Sequence, residues 1–180
     1  GVWHLNDQFD DSTSNRTETV NHDTTGTNTL LANGRLFSGT NQYIEIRIPT
    51  NWYGANINNM TVSMWARGKA QPYSGYSGTL FGEFDNNTNG PLFIRRRIYD
   101  IVEYCVGGVT NANYKLATNT WSFTFINLVL SNGQAYTWSN DVVKTQFSYT
   151  RFTPAYEPHI GYMNGQTTNV YYFMGIIDEV

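Results

Sequence analysis

Apolar and polar residues alternate with a period of two along much of this chain. In "YIEIRIP", residues 43–49, Ile44, Ile46 and Ile48 fall on one face and Glu45 and Arg47 on the other. "MTVSMWARG" sets Val62, Met64 and Ala66 against Ser63, Trp65 and Arg67. This period belongs to half-buried β-strands, whose successive side chains point to opposite faces. "GTLFGEF", "PLFIRRRIY", "DIVEYCV", "SFTFINLVLS", "QAYTWSN" and "PHIGYM" are further strand candidates, separated by Gly, Asn and Pro. "SFTFINLVLS" is apolar on both faces, which predicts a central strand covered on both sides for part of its length. The closing run "NVYYFMGIIDEV" is rich in aromatic and β-branched residues and predicts a long strand. Asn132-Gly133 lies between two strand runs and is a strong hairpin signal. "FDNNTNGP" and "GGVTNANYK" read as turns. No amphipathic period of 3.6 survives for three turns, so no helix is expected.

About a dozen strands without helices predict two packed antiparallel sheets, an all-β jelly-roll sandwich forming one domain over residues 1–180. Val62, Met64, Leu128 and Ile160 are expected in the core, with Trp65 on the face opposite Met64. Trp3 and Trp121 also read as core. Residues 6–34, "NDQFDDSTSNRTETVNHDTTGTNTLLANG", are polar and turn-rich without alternation. They read as a long loop, which needs something to pin it.

Composition sharpens the class. Charged residues are only 14% of the chain, and Asn, Thr, Ser, Gly and Tyr carry the polarity instead. That profile suits a protein of the extracellular space, a cell surface or a virion surface. A net charge of −3 offers no general attraction to nucleic acid or to anionic membranes. No apolar run is long enough to span a bilayer. The opening "GVWHL" is already strand-like, so the chain is expected to be a piece of a larger polypeptide. Cys105 is the only cysteine, which leaves no intrachain disulfide and reads as a buried thiol within an apolar strand. His4, His22 and His159 are scattered without metal-ligand spacing. In "IRRRIY", alternation places Arg95 and Arg97 on one face and Arg96 on the other, each expected to pair with a neighbouring acid. Asp100 and Glu103 fall on opposite faces of their strand for the same reason.

The order of motifs supplies a resemblance. "GVWHLND", "DSTSN", "GRLFSGTNQYIEI", "MTVSMWARG", "TLFG", "NTWSFTFINLVLSNGQAYTW", "HIGY" and "YFMGIIDEV" together resemble the laminin-G-like domains of the concanavalin A-like lectin/glucanase superfamily. The similarity runs over nearly the whole chain and implies a concanavalin A-like sandwich. Many members hold a structural calcium, and the resemblance places its ligands here on Asp7 (with the Asn6 carbonyl), the Gly39 carbonyl and Asp178. Asp11 is a spare candidate. Calcium accepts hard carboxylate and carbonyl oxygens at flexible geometry. It would also account for an acid beside Ile176, Ile177 and Val180, where an unpartnered carboxylate is costly if buried. The simpler alternative is that a neighbouring group hydrogen-bonds Asp178 and no metal is needed.

Glucanases of this superfamily carry Glu-x-Asp-x-x-Glu on one strand, because retaining cleavage needs two carboxylates. Here "GEFDNNT" gives Glu83 and Asp85, but Thr88 stands where the second Glu belongs. No glycosidase activity is therefore expected. Binding rests on aromatics, since sugar rings stack their C–H faces on Tyr and Trp. The candidates are Trp52 and Tyr53 in one loop, Tyr73 and Tyr76 in another, and Trp65, Tyr136 and Trp138 in strands. The expected function is a non-catalytic carbohydrate-binding or adhesion module whose partner is a glycan or surface polysaccharide. The alternative is a structural module of a filament, sheath, fibre or virion surface that contacts sister subunits.

Overall fold

The computed structural model describes residues 2–6, 11–13, 17–29, 33–48, 59–70, 78–83, 92–129, 132–140, 142–149, 157–163 and 171–180. Within them, fourteen strands numbered in chain order form two seven-stranded sheets with antiparallel neighbours. Across the first sheet the order is β1 (Glu18–His22), β4 (Tyr43–Arg47), β13 (His159–Ile160), β6 (Gly78–Glu83), β7 (Leu92–Arg96), β8 (Ile101–Val106) and β9 (Val109–Lys115). Across the second it is β12 (Val142–Ser148), β11 (Gln134–Ser139), β10 (Trp121–Val129), β5 (Asn59–Gly68), β14 (Met174–Asp178), β3 (Asn33–Ser38) and β2 (Thr25–Asn28). Only a 3-10 turn at Ile98–Asp100 departs from strand and loop among the described residues.

The alternating runs build the core. Ile44, Ile46, Ile94 and Val102 of the first sheet belong to one buried cluster with Phe37, Val62, Met64 and Ile177 of the second. Along β5, Val62, Met64 and Ala66 are buried, while Ser63, Trp65 and Arg67 are half-exposed on the other face. Ile160 and Trp3 are buried as expected. The Leu128 side chain lies outside the described residues.

Four segments differ from their sequence reading. Residues 6–34 are not one loop, since they hold β1, β2 and the start of β3. β1 and β2 are edge strands of opposite sheets, and the chain crosses between them at Asp23 and Thr24. An edge strand wetted on both faces has no reason to alternate, which is why no period showed. β10 is not apolar on both sides in the expected sense. Its inward face carries buried Ser122, Thr124 and Ile126, and its outward face carries half-exposed Trp121 and Phe123. The Thr124 hydroxyl lies 2.5 Å from the buried Tyr104 phenol, so the polar atoms satisfy each other inside the sandwich. Trp121 is accordingly not core; the Arg67 guanidinium lies 5.7 Å from its ring centre. The closing strand is short. Of "GGVTNANYK", only Gly107-Gly108 turns, and Val109–Lys115 is β9.

The arginine triplet behaves as its alternation requires. Arg95 and Arg97 both pair with buried Glu103, Arg97 at 2.8 Å. Arg96 points inward and is fully buried. Its guanidinium donates to the Lys69 carbonyl at 2.5 Å and to the Thr118 hydroxyl at 2.9 Å, and pairs with Asp100. Gly68 makes room for it: a Cβ there would lie 2.5 Å from Arg96 Nη1.

An asymmetry follows from this burial. Asp100→Ala leaves a buried guanidinium without its counter-charge and is expected to cost about 3–5 kcal/mol. Arg96→Met removes the charge from the interior and leaves a partly exposed Asp100 that water can solvate, so it is expected to cost less. Urea unfolding of both variants measures the order, and the reverse order would contradict the assignment.

Candidate functional site

The acid of the closing strand is held by a hydroxyl. Asp178 is buried, and its Oδ2 accepts a hydrogen bond from Thr29 Oγ1 at 2.5 Å. Asp178 pairs with Trp65 on β5, at one end of β14, whereas Met174 at the other end faces Ser38. Gly39 follows Ser38, so at least four residues of strand, about 13 Å, separate it from Asp178. Gly39 and Asp178 thus lie toward opposite ends of β14. Asp7 lies outside the described residues. Asp11 is already engaged: its oxygens accept from the Val2 and Thr13 amides at 3.0 and 2.9 Å, the Thr13 hydroxyl at 2.7 Å and the Thr17 amide at 3.3 Å. Burial alone would raise its pKa, but these bonds outweigh that and hold the carboxyl well below the usual range. Among the described residues, no group of three or more His, Cys, Asp or Glu is placed to hold a metal.

Three of the predicted aromatic residues do come together. Trp65, Tyr136 and Trp138 share the outward face of the second sheet, because β11, β10 and β5 are neighbours in register. Phe123 stands opposite Trp65, their ring centres 5.3 Å apart and tilted by 47°. Tyr136 and Trp138 are 5.8 Å apart at 36°. With Trp121, this gives an aromatic band across three strands, each of these side chains half-exposed. Beside Trp65 and Phe123 opens a cavity of about 440 Å³, within the range of small-ligand pockets. Ser63 and Thr61 bring hydroxyls to it and Glu179 a carboxylate. Trp52, Tyr53, Tyr73 and Tyr76 lie outside the described residues.

A second aromatic group escaped the sequence reading. On the outward face of the first sheet, His22 stacks on Tyr43 at 4.0 Å and Tyr162 stacks on Tyr172 at 4.7 Å. His159 packs edge-on against Tyr43 and Tyr162 at 5.3 and 5.5 Å. The alternation of Tyr43 with Glu45 and Arg47 was a signal for it, but its partners come from distant strands. Parallel stacking covers one face of each ring within these pairs. The tilted rings of the second sheet are the better stacking platform.

Two packed antiparallel sheets of this order make an all-β jelly-roll sandwich. Solved structures of that kind align with the chain over nearly its full length. A botulinum neurotoxin type C structure, of a toxin that depends on two ganglioside molecules to enter cells, matches with a TM-score of 0.72 and 11% identity. The alignment covers 99% of this chain and 45% of the toxin chain. The binding domain of botulinum neurotoxin DC in complex with rat synaptotagmin II matches at 0.71 and 12%, over 99% and 46%. A native heptameric SAP-like pentraxin from Limulus polyphemus matches at 0.50 and 11%, over 68% and 62%. The chain thus spans under half the length of the toxin chains, and at these identities the likeness shows the fold. No family model and no curated protein matches the sequence.

His159 yields a pH prediction. Burial pushes its pKa down to about 4, with Glu45 pulling it up and His22 pushing it further down. The unfolded chain therefore takes up the proton first. Stability from this group is complete above about pH 6.5 and is lost as pH falls toward 4, by up to ~3 kcal/mol. Glu45, whose pKa is lowered, adds its loss only below 4.5, and Glu157, whose pKa is raised, works in the opposite sense. Urea unfolding between pH 7 and pH 4.5 should show a slope that His159→Phe flattens.

Proposed function

We propose that this chain is a non-catalytic glycan-binding module of the concanavalin A-like type, working at an extracellular or particle surface. The observation that carries it is the aromatic band of the second sheet, where Trp65, Phe123, Tyr136 and Trp138 share the outward face with tilted, half-exposed rings. A sugar ring laid on Trp138 or Trp65 would bury its C–H face there, and neighbouring hydroxyls and amides such as Ser63 and Asn127 would read its own hydroxyls. The neurotoxin structures support this reading, one described with two gangliosides and another in complex with SialylT. A hydrolytic reading finds less support. Glu83 is fully buried and, opposite Leu92 and two residues from Phe81, belongs to the interior side of β6. A carboxylate sealed in the core cannot reach a glycosidic bond.

Binding to a glycan array carrying neutral and sialylated oligosaccharides tests the proposal. Trp138→Ala and Trp65→Ala are each expected to weaken the best ligand by about tenfold or more, some 1.4 kcal/mol, while leaving the circular dichroism of the fold intact. Wild-type protein that binds nothing on the array, or variants that bind as well as wild type, would overturn it.

A further inference from the structure

The strands that carry the aromatic band hold a single charge. β5, β10 and β11 span Asn59–Gly68, Trp121–Val129 and Gln134–Ser139, and across all three Arg67 is the only charged residue. It is half-exposed on the outward face, two residues along β5 from Trp65 and directly opposite Trp121. On its other side it faces Ile176 of β14. The acid of that strand, Asp178, stands opposite Trp65 instead, where it is buried and bonded by Thr29.

The remaining arginines of the described structure are all engaged by oxygen. Arg47, Arg95, Arg96 and Arg97 pair with carboxylates, and Arg35 donates to the Asn6 carbonyl at 2.6 Å. Among the described residues, Arg67 alone has neither a carboxylate nor a carbonyl to meet its N–H groups. Its contact is the Trp121 ring, 5.7 Å from guanidinium carbon to ring centre. A ring face attracts the charge but leaves most of the five donors of the fork without an acceptor.

We propose that Arg67 reads a carboxylate on the bound glycan, so that the band takes an acidic oligosaccharide, one bearing a sialic or a uronic acid. This rests on the glycan-binding reading and names the class of sugar that the face selects. The planar fork of a guanidinium matches the two oxygens of a carboxylate, which accept its hydrogen bonds in parallel. Trp121 already restrains the fork, so less side-chain freedom is lost when the ligand arrives. The two-residue step from Trp65 to Arg67 spans about 7 Å of strand. A sugar ring stacked on Trp65 therefore sets its own acid group, or that of the next ring, within reach of Arg67. Glu179 fixes the direction. It lines the cavity beside Ser63, beyond Asp178 at the other end of the band, and pairs with His4 at 2.7 Å. It repels an anion there, so the acid of the ligand lies toward Trp121 and its neutral hydroxyls toward Thr61 and Ser63.

Four probes test this on the full chain: 3′-sialyllactose, tri-galacturonic acid, and the methyl ester of each, which keeps the rings and removes the charge. Calorimetric titration at low salt should show at least one acid binding about tenfold more tightly than its ester. Which pair shows the gap tells a sialic from a uronic ligand. Arg67→Gln should bring that acid down to the level of its ester, and Arg67→Lys, with the charge but not the fork, should restore only part of the gap. Added salt should narrow it, because Arg67 is half-exposed. Circular dichroism should show both variants folded, since neither loses an ion pair. Equal binding of acid and ester by the wild type, or a gap that survives Arg67→Gln, removes the role of Arg67. If that equal binding is weakened by Trp65→Ala, the glycan module stands without it. Failure of all four probes to bind also ends the proposal and leaves the glycan reading to the array.

Discussion

A guanidinium sealed between the sheets governs one end of this sandwich. Arg96 arises from the first sheet, yet one of its partners is the carbonyl of Lys69, just past the end of β5 in the second. A buried cation is costly unless its charge is met, and here a carbonyl, a hydroxyl and a carboxylate converge on the guanidinium. That convergence requires a residue without a side chain at Gly68 and sets where β5 stops. Counting back two residues at a time, Ala66, Met64 and Val62 fall inward, and Trp65 and Ser63 fall outward. The orientation of the aromatic band is thus tied to an ion that never meets solvent.

Much of this was legible because strand alternation is local. Tyr43–Arg47 and Met60–Gly68 declare both of their faces within a few residues, and the arginine triplet splits by the same parity. Asn132-Gly133 marks its hairpin equally well, with Gly133 at a positive φ of 65°. What stayed hidden depends on partners far along the chain. Thr124 looks like a solvent-side residue until the Tyr104 phenol is placed against it. β1 and β2 look like loop because an edge strand has no buried face to advertise. Asp178 shows the same limit: its neighbours announce burial, but the threonine hydroxyl that bonds it lies 149 residues earlier.

The binding face was half legible for a related reason. Trp65, Tyr136 and Trp138 could be named from type and parity, but their grouping needed the strand order β11, β10, β5. Phe123 belongs with them only through its register against Trp65. The tyrosine and histidine group of the first sheet needed four separate segments to be brought side by side. Stacking within that group takes up one face of each paired ring, whereas the second-sheet pairs are tilted.

The strand order has a consequence for how the polypeptide is made. β14 lies between β5 and β3, although it is synthesised after every other strand described. Until it emerges, two long edges face each other across an empty lane, each with unmet backbone groups and apolar side chains exposed. A nascent chain in that state is open to pairing with its copies on neighbouring ribosomes. Closure must bring together residues more than a hundred positions apart, and such long-range pairing is slow. Pairing of β14 with both of its neighbours is therefore a late step, and until it happens both edges stay open.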